Sequence, residues 1–297
     1  MKPSRDSGTD NGIAVPPAAI QAGAQPLAQP LTQPDTAKQF GTGCRNADAY
    51  PIPDFYLVTC EHGGNRIPSR YRDFFRGHED LLHTHRGYDP GALRLARELA
   101  QALDAPLLVS TISRLLIDLN RSPSHPELYS EATRAVPRDL REEIFRRYYR
   151  PYRLKAETNI AQAIADGARV VHISCHSFTP ELQGKPRHAD VGLLYDPARS
   201  AETQLCRRWQ TALKAYAAAL KTRMNYPYTG TADGFTVYLR QRFPPDRYLG
   251  IELEINQKHV RARTSHWRVV RHAIIEAFHA AAPQEKPPAD ERMPEAK

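Results

Sequence analysis

Cysteine is scarce in this chain of 297 residues: four in all, Cys44, Cys60, Cys175 and Cys206. No two of them form a CxxC pair, which excludes a zinc ribbon and a CxxC redox motif. Nothing in their placement asks for an oxidising compartment. Long apolar runs are missing too. None approaches the ~20 residues that a membrane span needs. The opening MKPSRDSGTD has no apolar stretch of the kind a secretory signal carries, so the expected location is cytoplasmic. Phosphate-binding glycine patterns are absent: the pair Gly63-Gly64 has neither GxGxxG nor GK[ST] spacing around it. There is no internal repeat.

The formal charge is +8, yet the basic residues are scattered and interleaved with acids. The densest group, Arg146, Arg147, Arg150 and Arg153, reads as the solvated face of a helix. No nucleic-acid module accompanies it, so the charge alone does not argue for nucleic acid.

Residues 1–48 are rich in Ala, Gln, Pro and Thr and carry almost no large apolar side chain. Such a segment cannot bury enough surface to offset its ordering entropy and is expected to be disordered, as are residues 283–297. The folded domain is expected over residues 49–282. Within it, short apolar runs alternate with helical patterns. FYLVTC (55–60), PLLVSTI (106–112), RVVHISCH (169–176), DVGLLYD (190–196) and YLGIELEIN (248–256) read as strands. Residues 90–105, 138–167 (with a break expected at Pro151), 201–222 and 266–281 read as helices. This alternation predicts an α/β three-layer sandwich around a mixed, mainly parallel sheet. Ligands of such sheets bind beyond the carboxyl ends of the strands.

Chemically capable residues collect at those ends. Strand 55–60 runs into Glu61-His62-Gly63-Gly64, and strand 169–175 into His176-Ser177. An imidazole at a strand tip either hydrogen bonds to nearby backbone or binds a metal. A catalytic zinc needs a third protein ligand, and Asp89 is the first candidate. Ahead of Pro90 it also suits the N-cap of helix 90–105. Glu61 is the rival third ligand, although side chains adjacent on a strand point to opposite faces. Glu252 and Glu254 share a strand face, with Glu254 at the carboxyl end. That position suits a base that takes a proton from water and passes it to a leaving amine. Glu252 reads as a paired structural carboxylate. The segment RLLIDLNRSP (114–123) reads as a strand ending in Asp118, Asn120 and Arg121. Arg121, with Asn120 beside it, suits recognition of a carboxylate, or else sits exposed in a turn. Arg187 is a second candidate anion contact, and His85 and Arg86 are candidates for the cleft wall.

Taken in order, CEHGGNRIP, HRGYDPGA, DLNRSP, SCHSF, RHADVGLLYD, YTGTADG and ELEIN resemble the N-formylglutamate amidohydrolase family over residues 55–260. The resemblance implies a zinc-dependent exopeptidase-like fold and hydrolysis of an N-formyl amino acid such as N-formylglutamate. It implies metal ligands at His62, Asp89 and His176, one divalent ion, Zn2+ by preference, and a general base at Glu254. Two positions depart from relatives: Asn65 stands where carboxypeptidases have the acid of HxxE, and Glu61 precedes His62 where histidine-degrading members carry another residue. Both mark a divergent branch. The other functions that fit these motifs are an amidase or peptidase for cell-wall fragments or other N-acylated peptides, and a binding protein that keeps the fold without catalysis. The expected partner is a small-molecule N-acyl amino acid, with no nucleic acid and no membrane.

Overall fold

The apolar run after Pro53 forms the strand β1, Asp54–Cys60, in a computed structural model that describes residues 52–282. The tails expected at 1–48 and 283–297 lie outside the described residues. Five further strands complete a sheet with β1: β2 (Leu107–Val109), β3 (Arg169–Phe178), β4 (Val191–Leu194), β5 (Thr222–Met224) and β6 (Tyr248–Asn256). Their order is β2-β1-β3-β6-β4-β5. Every neighbouring pair is parallel except β6 with β4, so the sheet is mixed and mainly parallel, as the alternating pattern predicts.

Period-2 alternation divides β3 and β6 between two layers. Val171, Ile173 and Cys175 of β3 and Leu249, Ile251, Leu253 and Ile255 of β6 face one side. There they meet α1 (Ala92–Ala102), α3 (Ser200–Tyr216) and α5 (Thr264–Ala281). Leu95, Leu99, Leu205, Trp209, Leu213 and Phe278 fill that layer, all completely buried or nearly so. The opposite side holds Val170 and Tyr248, packed on α2 (Arg150–Ala165) through Ala156, Ile160 and Ala163, and on α4 (Phe235–Arg242) through Phe235 and Leu239. Toward the carboxyl ends the same side turns polar: His172, Ser174 and His176 on β3, Glu252, Glu254 and Asn256 on β6. Register pairs Ser174 with Glu252 and His176 with Glu254.

Several elements differ from the expected ones, each for a local reason. Residues 114–121 form turns rather than the end of a strand. Asp118 accepts the amide of Asn120, and the amide of Arg121 bonds to the Asp118 carbonyl, so the backbone closes on itself. Pro151 does not break its helix. A π-helical turn at Phe145–Tyr149 precedes it, so its missing N–H falls at the start of α2 rather than inside it. The alanine-rich end of the helix expected over 201–222 stops at Tyr216, and the chain then adds β5, an edge strand too short to show a period. Arg153 is not part of a solvated face. It is buried, donates to the carbonyls of Leu119 and Arg121, and stacks on Tyr149, Phe235 and Tyr238. Among the described residues no helix is long and apolar enough to cross a membrane.

Candidate metal centre and active site

β1 ends at Cys60, and the next residues stay beside the segment that follows β2. Gly63 N–H donates to Ser110 O at 2.9 Å, and Arg66 N–H to Thr111 O at 3.0 Å. The glycine pair permits this approach: a Cβ on Gly63 would lie 2.9 Å from Ser110 O, and one on Gly64 2.7 Å from Thr111 O. Neither glycine is needed for a left-handed turn. Their smallness keeps His62 docked at the sheet, and His62 O in turn accepts the amide of Asp89 at 2.9 Å. Asp89 is thereby delivered to the imidazole from the entrance of α1.

The side chains of His62, Asp89 and His176 converge. Each is buried, and one donor atom from each lies within 4.8 Å of the others. The two imidazoles are oriented from behind by carboxylates. His62 Nε2–H donates to Asp118 Oδ1 at 2.7 Å, and Asp118 Oδ2 accepts two bonds from Arg114, at 3.0 and 2.6 Å. Behind His176 runs a relay: Nε2–H to Ser174 Oγ at 2.9 Å, then Ser174 O–H to Glu61 Oε2 at 2.6 Å. Glu61 also accepts from Tyr152 O–H at 2.9 Å. With both Nε2 atoms committed, both Nδ1 atoms face Asp89. His176 Nδ1 is 2.9 Å and His62 Nδ1 3.4 Å from Asp89 Oδ2. His62 Nδ1 is buried with no hydrogen-bond partner among the described residues. Two imidazole nitrogens and one carboxylate oxygen, with outer carboxylates fixing the tautomers, form a donor set that fits a divalent ion such as zinc.

Electrostatics agree with that fit. Burial opposes charge on His176, but Asp89 and Glu61 outweigh it and lift the imidazole well above its ordinary value. His62 is also raised: burial and Arg114 work against its charge, and Asp118 and Asp89 overcome them. Burial alone would raise the Asp89 carboxyl, yet His62 and His176 hold it far below the usual carboxylate range. A metal therefore competes with protons for these imidazoles.

Glu254 stands apart. Its Oε2 is buried and unpaired, and burial, aided by Asp89 and Glu252, pushes the carboxyl up to about 7. It reaches the same cavity, of about 160 Å³, as His62, Asp89 and His176. Glu252, two residues earlier, accepts from Thr236 O–H at 2.7 Å, which matches a paired structural carboxylate. Glu61 sits behind His176 rather than in the donor cluster. Asp89 makes no helix cap: the N-cap of α1 is Gly91, with no side-chain cap bond, and the Asp89 oxygens lie 3.5 Å from Arg114 Nη1 and 2.9 Å from His176 Nδ1.

The residues expected to bind substrate also line this cavity. Asn120 Oδ1 accepts the amide of Phe235 at 2.6 Å, and Arg121 Nη1 donates to Asp233 O at 3.1 Å. These bonds clasp the loop after Asp118 to the loop before α4. Arg187 lies over the rings of Phe178 and Tyr228 and donates to Tyr228 O–H at 3.3 Å. His85 contributes to the wall as well, whereas Arg86 lies outside this cavity. Sequence reasoning overlooked Arg114 and Tyr228 in the wall and Asp118 behind His62. An acid directly upstream of Asn120-Arg121 was the available signal for Asp118.

The sequence profile of the N-formylglutamate amidohydrolase family matches residues 55–260. The chain belongs to that family. It is therefore an amidohydrolase by family, as the ordered motifs imply. Among solved structures, a gene product of Agrobacterium tumefaciens is 29% identical, with a TM-score of 0.67 over 77% of this chain and 91% of that one. The N-formylglutamate amidohydrolase of Ralstonia eutropha JMP134 is 18% identical, with a TM-score of 0.57 over 78% and 93%, and shares the fold. A search of curated proteins found no match.

The carboxylate behind His62 makes a test of its own. Replacing Asp118 with Asn removes the acceptor charge and frees the imidazole tautomer, while the cavity walls stay in place. Metal affinity is expected to fall about 10–100-fold, measured by competition with a chromogenic chelator. Unchanged affinity would show that Asp118 only packs against the histidine.

Proposed function

We propose that this protein hydrolyses the amide bond of an N-acyl amino acid, N-formylglutamate in the first instance, at a divalent metal held by His62, Asp89 and His176. The observation that carries the reading is the meeting, in one cavity, of two Nδ1 atoms and Asp89 with the unpaired carboxylate of Glu254 and three arginines. Zinc is the preferred ion because imidazole-rich sites favour it. When bound, such an ion supplies Lewis acidity toward the scissile carbonyl and lowers the pKa of water.

The chain's own groups supply the rest. Glu254, whose Oε2 has no hydrogen-bond partner among the described residues, takes a proton from the attacking water. Water oxygen bonds to the carbonyl carbon, the C–N bond breaks, and Glu254 returns the proton to the departing nitrogen. A carboxylate, formate when the acyl group is formyl, and a free amine leave. Arg121, positioned by Asp233, and Arg187, stacked on Tyr228, pair with the carboxylates of the amino acid. Asn120 fixes the loop that carries Arg121. The three arginines of the cavity wall support an acidic small-molecule substrate.

The test is turnover of N-formylglutamate by zinc-loaded protein, by protein stripped with a chelator, and by protein reloaded with zinc. Activity is expected in the first and third samples and about a thousandfold less in the second. Equal rates in all three would remove the metal from the reading.

A further inference from the structure

A second cavity, of about 430 Å³, adjoins the first and shares four wall residues with it: His85, Arg114, Arg121 and Tyr228. The first cavity alone is smaller than the roughly 300–1,000 Å³ usual for a small-molecule site, and the second brings the total within that range. Arg86, Glu131 and Arg134 line the second cavity and not the first. Its acids are mostly spoken for: Asp118 is held by Arg114 and His62, and Glu131 by Arg86 at 2.7 Å. Glu127 is the exception. Arg134 is exposed, and its side chain makes no hydrogen bond or ion pair among the described residues; the Arg121 side chain donates to the carbonyl oxygen of Asp233. The field here is positive. Burial, then Arg114, Arg86 and Arg187, push the imidazole of His85, which stands on the shared wall, below its ordinary value.

Resting on the amide-hydrolase reading, we infer that the natural substrate is longer than an N-formyl amino acid and ends in a further carboxylate, which lies in the second cavity against Arg134 and Arg86. A cation without an ion-pair partner, lining a space that shares four wall residues with the catalytic pocket, is a binding feature for an anion. The extra carboxylate has two chemical sources: the acyl side, as a dicarboxylic acyl group, or the amine side, as a second acidic residue.

The experiment compares kcat/KM for N-formylglutamate, N-formyl-glutamyl-glutamate and N-glutaryl-glutamate, with N-formyl-glutamyl-glutamine and N-pentanoyl-glutamate as the neutral counterparts. Each is run on the wild type, Arg134→Ala, Arg134→Lys and Arg86→Ala. The expected result is that one acid-extended compound exceeds both N-formylglutamate and its own neutral counterpart by about tenfold. Arg134→Ala should remove that advantage while leaving N-formylglutamate unchanged, and Arg134→Lys should restore part of it. Which extended compound wins identifies the side that carries the acid. If N-formylglutamate is the best substrate, or if Arg134→Ala slows every compound alike, the inference is overturned and the hydrolase reading stands. If the zinc-loaded protein hydrolyses none of the compounds, the hydrolase reading falls. Calorimetric binding of N-formyl-glutamyl-glutamate and of N-glutaryl-glutamate to wild type and Arg134→Ala then decides the cavity: equal affinity for both compounds rejects it, and a tenfold loss for either supports it.

Discussion

Glu254→Gln is expected to lose between about a hundredfold and ten-thousandfold in kcat while keeping its metal. The amide has nearly the same shape as the carboxylate and cannot accept the water's proton. It removes the charge of a buried carboxyl whose Oε2 has no hydrogen-bond partner among the described residues, so stability should hold or rise. The pH profile gives the second reading of the same variant. Burial places the Glu254 carboxyl near 7, above its ordinary value, and the base works only when ionised. Activity should therefore fall as pH is lowered through that region. A cation beside the carboxylate favours its ionised form and moves the fall to lower pH. The residual activity of Glu254→Gln should lack this limb. Steady-state kinetics from pH 5 to 9, with metal content measured on the same samples, checks both points. Undiminished turnover in the Gln protein would remove Glu254 from the role.

Asp89→Ala is expected to have the next largest effect, and by another route. The variant takes away the only carboxylate in the donor cluster and leaves the imidazoles of His62 and His176. With Asp118 and Glu61 still behind them, both rings keep their orientation, but the site loses its negative ligand. Stoichiometric zinc should no longer survive dialysis, and kcat should drop at least a thousandfold. Glu254→Gln and Asp89→Ala thus separate on one axis: the first is inactive with metal, the second inactive for want of it. Elemental analysis after gel filtration distinguishes them. Full zinc occupancy in Asp89→Ala would transfer the third ligand to another group. In the wild type, zinc affinity should also rise with pH, because the metal must displace protons from two imidazoles whose pKa values Asp89, Asp118 and Glu61 keep high.

The parts of the site that one strand controls could be read from the chain. His62 and His176 follow apolar runs, and strand geometry alone puts them at carboxyl ends. Glu252 and Glu254 share a face because their spacing is two. Asp89 was readable only as a polar residue at a helix entrance, where capping explains it equally well. Its position beside the imidazoles depends on the His62 carbonyl that binds its amide, a contact across 27 residues that no local pattern encodes. Arg114, Asp118 and Tyr228 were harder still. Arg114 and Asp118 lie in turns whose apolar flanks imitate a strand, and Tyr228 comes from a distant loop. The burial of Arg153 escaped a reading based on charge density, because aromatic stacking partners come from α4 and from the residues just ahead of α2. The sheet order and its single antiparallel pair likewise depend on contacts far apart in sequence.

The reversal of β4 within an otherwise parallel sheet has one more consequence. Because β4 runs against β6, its entry lies next to the exit of β6, and Asn256 holds the carbonyls of Arg187 and Ala189 in place. Arg187 is anchored to the scaffold, whereas Tyr228, Arg121 and Arg134 ride on connecting segments. Under the proposed function, part of substrate choice therefore rests on connecting segments, and mutational drift there would change which acid is accepted while Glu254 and His176 stay on their strands.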